Sequence, residues 1–155
     1  MSSDFKDLLE DFNGFQVEYL LVGGLAVIEY TEPRYTKDMD LWIKASEENS
    51  KRVFNALAKF GAPLQGLTSQ DFAQEGFFFQ VGLPPARIDI LMSLPGLSFD
   101  DSSSKKGTTL LWGVTVPILS IEDLIANKSA VGRDQDLADV KSLQRALKNK
   151  LTRAI

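Results

Sequence analysis

Apolar residues recur at helical spacing from the start of the chain, where Phe5, Leu8, Leu9 and Phe12 fall on one face before Asn13-Gly14 stops the run. A short amphipathic helix is therefore predicted over Asp4 to Phe12. From Val17 to Val22 the pattern becomes a mostly apolar, β-branched and aromatic run ended by Gly23-Gly24, as a buried strand requires. Leu25 to Tyr30 continues without polar alternation as far as the break at Pro33, which predicts a short buried helix beginning near Gly24. Asp38-Met39-Asp40-Leu41-Trp42-Ile43 alternates for four residues and then turns apolar, as a strand entering a core would. Ser46 to Phe60 reads as a helix capped by Ser46 and stopped by Gly61.

Beyond Gly61 the pattern predicts a loop as far as Gln70 and a helical turn at Asp71 to Gln74. A strand from Gly76 to Val81 carries three consecutive phenylalanines and is closed by Pro84-Pro85. Arg87 to Met92 is a further strand, and the two are expected to form a hairpin around Gly82 to Ala86. Pro95 to Lys106, rich in Ser, Asp and Gly, is expected to be an exposed, mobile loop. Leu110 to Leu119 supplies one more strand, and Ser120-Ile121-Glu122-Asp123 has the form of a helix start with acid in its first turn. Two helices, over about 120–150, complete the chain. With no internal repeat and no second core, one domain over 1–155 is expected: an α+β (α/β) architecture with a mixed sheet of about five strands flanked by helices.

Composition narrows the chemistry. The 155 residues are 44% hydrophobic and 25% charged, close to the globular average, and no apolar run approaches the roughly 18 residues that would span a bilayer. No membrane role is expected. The N-terminus lacks a basic segment followed by an apolar core, so the expected location is cytoplasmic. Cysteine and histidine are both absent, which excludes disulfides, Cys nucleophiles, Ser-His-Asp hydrolases and His-ligated zinc. Any metal must be held by oxygen. A net charge of -4 gives no broad basic face for non-specific nucleic-acid binding.

Strand alternation places Asp38 and Asp40 on one face, with Met39 and Leu41 turned into the core. Asp89, between Ile88 and Ile90, is set the same way on a second strand. Three converging carboxylates repel one another unless a cation or proton compensates, which is the logic of a magnesium or manganese site bridging phosphate oxygens. Asp89 is also a candidate base for an attacking hydroxyl. Gly23-Gly24, between strand and helix, would let a phosphate approach the unpaired amides of a helix N-terminus.

Together these residues resemble the DNA polymerase β-like nucleotidyltransferases, whose signature is an apolar residue, Gly-Gly or Gly-Ser, a spacer, and an acid-x-acid strand. Here it is Val22-Gly23-Gly24, thirteen intervening residues, and Asp38-Met39-Asp40-Leu41. Arg34-Tyr35-Thr36-Lys37-Asp38-Met39-Asp40 further looks like the Arg-x-Thr-x-Asp-x-Asp form of the minimal, antitoxin and abortive-infection-type branches. Lys128 with Arg133-Asp134-Gln135-Asp136-Leu137-Ala138-Asp139 looks like the Lys and Arg-x-Lys-Asp-x-x-Asp elements of the abortive-infection type, with Gln135 in place of its lysine.

The resemblance implies a nucleotidyltransferase fold in which Gly23 and Gly24 contact a nucleoside triphosphate and Asp38 and Asp40 bind magnesium, with Asp89 as third acid. A nucleotidyl group would pass to the hydroxyl of a transfer RNA, a protein or a small molecule. Arg34, Thr36, Lys128 and Asp136 are further candidate nucleotide contacts. The competing reading is a non-catalytic module, either nucleotide-sensing or antitoxin-like with a toxin or antitoxin partner. Several residues have plain alternatives. The acids would be solvated on an exposed edge strand, Arg34 and Thr36 would merely order a loop, Arg133 to Asp139 would form a charged solvent face, and Phe77 to Phe79 would pack the core rather than stack on a base.

Overall fold

The computed structural model describes residues 3–36, 38–82 and 86–153. Lys37 of the acidic motif and the predicted strand stop at Pro84-Pro85 lie outside them. The predicted first helix is α1, Ser3–Gly14, and buries the four apolar residues that define its stripe. Strand β1, Tyr19–Val22, is buried at every position, as a sheet strand covered on both faces must be. The chain turns directly into helix α2, Gly23–Tyr30, and then strand β2, Asp38–Ile43, alternates half-buried Asp38 and Asp40 with buried Met39 and Leu41.

Helix α3, Glu47–Phe60, is delimited as expected: Ser46 accepts from the Asn49 amide and Gly61 ends it in the left-handed region at φ 97°. A 3₁₀ turn at Ser69–Ala73 precedes strands β3, Phe78–Val81, and β4, Arg87–Leu91, which pair antiparallel. The stretch expected to be an exposed, mobile loop contains helix α4, Phe99–Ser103, with Ser102 buried; Phe99, edge-on to Trp42 at 5.2 Å, anchors it. Pattern alone missed this because one aromatic contact, not a periodic stripe, holds the element.

The single strand expected over Leu110 to Leu119 is instead a hairpin of β5, Gly107–Leu111, and β6, Val114–Ile118. Trp112 and Gly113, both at positive φ (50° and 80°), make the two-residue turn, and Trp112 is held by its ring contact with Phe5 at 5.8 Å. A tryptophan in a turn that favours Asn or Gly carries no local signal. Helices α5, Ile121–Val131, and α6, Asp134–Arg153, complete the fold.

Among the described residues the mixed sheet has six strands in the order β3-β4-β2-β1-β6-β5. One face carries Met39, Leu41, Ile88, Ile90 and Phe79, and Phe79 joins a ring cluster with Phe72, Phe77 and Phe54 beneath α3. The pleat turns Asp38, Asp40, Arg87, Asp89 and Gln80 to the opposite face. No helix among the described residues is long and apolar enough to cross a membrane.

Candidate active site

β2 and β4 run parallel, and their register sets Asp40 directly beside Asp89 and Asp38 beside Arg87. The sequence places each acid on its strand; the crossover that makes the two strands neighbours is what brings the acids together. Burial pushes the Asp40 carboxyl up to about 7, and the adjoining Asp89 and Asp38 add to the rise while Lys128 opposes it. Near neutral pH the pair therefore retains a proton. Asp89 Oδ1 is buried with no hydrogen-bond partner; the nearest cationic atom, Arg87 Nε, is 3.4 Å away and is itself unpartnered.

Arg87 is the charged neighbour of the acids that sequence reasoning missed. Its guanidinium donates to Asp38 Oδ2 at 2.7 Å and its Nε lies 3.4 Å from Asp89 Oδ1, so Arg87 bridges Asp38 and Asp89 while Asp40 has no ion pair of its own among the described residues. A period-two reading from Asp89 back to Arg87 would have put the guanidinium on the acidic face. Among the described residues no group of three or more acids stands at the spacing of a metal centre.

Gly23 opens α2 at φ +71°, where a β-carbon would run into the Asp40 carboxylate. Val22 caps this helix with no side-chain hydrogen bond, so the helix starts without a side-chain cap, against the Asp40 carboxylate. At Gly24 a β-carbon would meet Thr36 Oγ1 at 2.7 Å and the Arg34 guanidinium at 3.2 Å. Both glycines, Arg34, Thr36 and the Asp40–Asp89 pair thus meet at one end of α2.

Arg34 is latched to α6 through Asp139 Oδ2 at 3.0 Å. Lys128, on α5, is buried and shared between Asp136 and Asp139, at 3.2 Å from each. Arg133 donates to Asp136 at 2.7 Å. Burial alone would raise the Asp136 carboxyl, but hydrogen bonds from Arg133 and Lys128 outweigh it and hold it below the usual carboxylate range. Asp136 and Asp139, only 1% and 3% exposed, therefore form no charged solvent face: they clamp Lys128 and Arg34 behind the acids. Asp139 was legible in the sequence only as the last acid of the Arg133 to Asp139 stretch. A cleft of about 560 Å³, lined by Val27, Tyr30, Arg34 and Arg145 among others, lies along α2 and α6 at this latch rather than over the acids.

No family model matches the chain. No curated protein matches it in sequence. Solved structures do match. A lincosamide antibiotic adenylyltransferase, LnuA, in its lincomycin-bound form, is 17% identical with a TM-score of 0.60, the alignment covering 93% of this chain and 96% of that one. The aminoglycoside enzyme ANT(2")-Ia, in complex with adenylyl-2"-tobramycin, is 12% identical with a TM-score of 0.58, covering 97% and 91%. A candidate nucleotidyltransferase from Thermotoga maritima is 15% identical with a TM-score of 0.56, covering 94% and 91%. These likenesses establish the nucleotidyltransferase fold.

Proposed function

We propose that this chain, built on the nucleotidyltransferase fold, transfers a nucleoside monophosphate from a nucleoside triphosphate to a hydroxyl of a small-molecule acceptor. The observation that carries this reading is the pairing of Asp40 with Asp89, in register on neighbouring strands, at the uncapped N-terminus of α2. Phosphate is favoured at such an end, where amides point outward and the helix dipole is positive.

The residues fit a divalent cation. Asp40 is held partly protonated by burial and by its acidic neighbours, and Asp89 keeps a buried oxygen without a hydrogen-bond partner. Oxygen donors of this kind suit magnesium or manganese, and Asp38, here paired with Arg87, would join them as a third donor on leaving that arginine. Bound there, the ion would supply charge neutralisation for the phosphate oxygens and the leaving pyrophosphate. The chain's own groups do the rest. The Gly23 and Gly24 amides hold phosphate, helped by Arg34 and Thr36. Asp89 takes the proton as the acceptor oxygen bonds to the α-phosphorus and the bond to pyrophosphate breaks. Lys128 and Asp136 support the triphosphate side through the clamp on Arg34. The match over nearly the full length of two antibiotic adenylyltransferases supports ATP as donor and a small-molecule acceptor rather than a transfer RNA or a protein.

Calorimetric titration of ATP with and without magnesium, into the wild type and the Asp38→Ala/Asp40→Ala double variant, tests the site. Magnesium-dependent binding to wild type alone is the expected result. Binding to neither protein would sink the proposal, and binding without transfer to any acceptor would leave a nucleotide-sensing module. Magnesium must also displace the proton held near Asp40, so at pH 6.5 the binding heat should change with the ionisation enthalpy of the buffer, and at pH 8.5 it should not.

Gly23→Ala tests the helix start. A side chain at positive φ, set against Asp40, should cost about 1–3 kcal/mol of stability. It should also weaken magnesium-dependent ATP binding by displacing the carboxylate. Unchanged thermal unfolding and unchanged ATP affinity would show that Gly23 is dispensable.

A further inference from the structure

The register that pairs Asp40 with Asp89 extends across the sheet. Asp89 faces Gln80 on β3, which gives a polar row of Asp40, Asp89 and Gln80. Two residues further along the strands, roughly 7 Å away, Trp42 pairs with Leu91 and Leu91 with Phe78. An apolar row of Trp42, Leu91 and Phe78 therefore lies parallel to the polar one on the same face.

The apolar row is uncovered progressively. Trp42, beneath the edge of Phe99, is 2% exposed; Leu91 is half-buried; Phe78 is 53% exposed. Phe77 and Phe79 both join the ring cluster around Phe72, whereas Phe78 has no ring contact among the described residues. Trp42 and Phe99 also wall a recess of about 440 Å³ beside Leu97 and Met92.

Resting on the transferase reading above, we infer that Phe78, Leu91 and Gln80 form the acceptor platform, and that its occupant is an uncharged or singly charged hydroxylated ring compound with one apolar face. In-line transfer requires the attacking oxygen to enter opposite the departing pyrophosphate. The Gly23 helix start lies on the β1 side of Asp40, so a triphosphate held there leaves the β4 and β3 side open for the acceptor. A ring lying on Phe78 and Leu91 would bring a substituent hydroxyl within one row spacing of Asp89, and Gln80 can hydrogen-bond a second hydroxyl as donor or acceptor. Aromatic surface of this kind takes the apolar face of a saccharide or of an alkyl-bearing ring. Phe78, Leu91 and Gln80 are uncharged, and of the two acids lining the adjoining recess, Glu75 and Asp100, Asp100 is paired with Lys44, so a polycationic acceptor would not find the several free carboxylates it needs.

The inference is tested with magnesium-ATP as donor and lincomycin, a singly basic sugar amide with an alkyl chain, as the main probe. Phenyl glucoside and octyl glucoside serve as simpler ring acceptors and tobramycin as the polycationic contrast. Transfer to at least one of the first three, with kcat/KM about tenfold or more above that for tobramycin, is the expected result. Phe78→Ala, at a side chain too exposed to hold the fold, should raise the acceptor KM about tenfold and leave the KM for ATP and the thermal unfolding midpoint unchanged. Transfer to none of the ring acceptors by protein that binds magnesium-ATP, or preference for tobramycin, overturns the inference. So does a Phe78→Ala variant in which the ATP KM rises instead, since Phe78 would then stack on the nucleobase. Failure to bind any nucleoside triphosphate removes the transferase reading and the platform with it.

Discussion

Asp40→Asn is expected to lower nucleotidyl transfer by on the order of a thousandfold while making the metal-free protein more stable at pH 8. The two effects share one cause. Asp40 lies beside Asp89 with no ion pair of its own among the described residues, and burial with carboxylate repulsion lifts its pKa from 3.8 to about 7 despite the opposing Lys128. A carboxyl that holds its proton more tightly folded than unfolded lowers stability as pH rises from about 4 to about 7, and the cost stays constant above that. At pH 8 the ionised form is therefore present at its full cost, and an asparagine removes it.

The expected gain is on the order of 2 kcal/mol at pH 8, becoming small near pH 4 and vanishing only below about pH 3, where Asp40 is protonated in both folded and unfolded chains. Thermal unfolding of both proteins across pH 4–8, without divalent metal, measures it. Equal melting temperatures at pH 8 would show that Asp40 is not destabilised by its neighbours, and undiminished transfer would show that the acid pair is not the site. A residue that lowers stability and is required for activity is the pattern expected of a preorganised site.

Lys128→Met should be the most destabilising single change outside the apolar core, costing about 3–5 kcal/mol. The ammonium is shared between Asp136 and Asp139, both nearly inaccessible to water, and removing it leaves two buried carboxylates with one arginine partner each. Methionine keeps the chain length and most of the volume, so the loss reports the charge rather than a cavity. The melting temperature should fall by roughly 10 °C at pH 7. The Lys128→Met/Asp136→Asn double variant should recover part of this, because it removes one stranded charge.

The clamp also fixes a lower pH limit. Asp136 is held below its ordinary value of 3.8, so its stabilising contribution is present above about pH 4 and is lost as pH falls below that. A loss under 1 kcal/mol for Lys128→Met would mean that water reaches the cluster and that it does not hold α5 to α6. The same variant leaves Asp139 to Arg34 and Gln135, so any accompanying change in ATP affinity would reveal how far the clamp positions Arg34.

Much of the fold follows from patterns local in sequence. The α1 stripe, the β1 run, the alternation at Asp38 to Leu41 and the Ser46 and Gly61 helix limits all reappear in the structure, since each depends on contacts within a few residues. The β5–β6 hairpin and α4 were not legible, because their determinants are distant: Trp112 turns against Phe5, and Phe99 packs on Trp42. Arg133 to Asp139 shows the same limit. A charged helix start looks solvated until α5 places Lys128 over it.

The sequence by itself determined which residues stand as candidates. Without cysteine or histidine the chemistry falls to oxygen ligands, and strand period alone turns Asp38, Asp40 and Asp89 away from the core. The tertiary structure alone decided which of them are brought together. A parallel pairing between strands some fifty residues apart in the chain sets Asp40 against Asp89, gives Asp38 to Arg87, and aligns Gln80 and Phe78 beside them. Register between distant strands is fixed by the whole buried face and by the connections that deliver each strand, and no short window of sequence contains either.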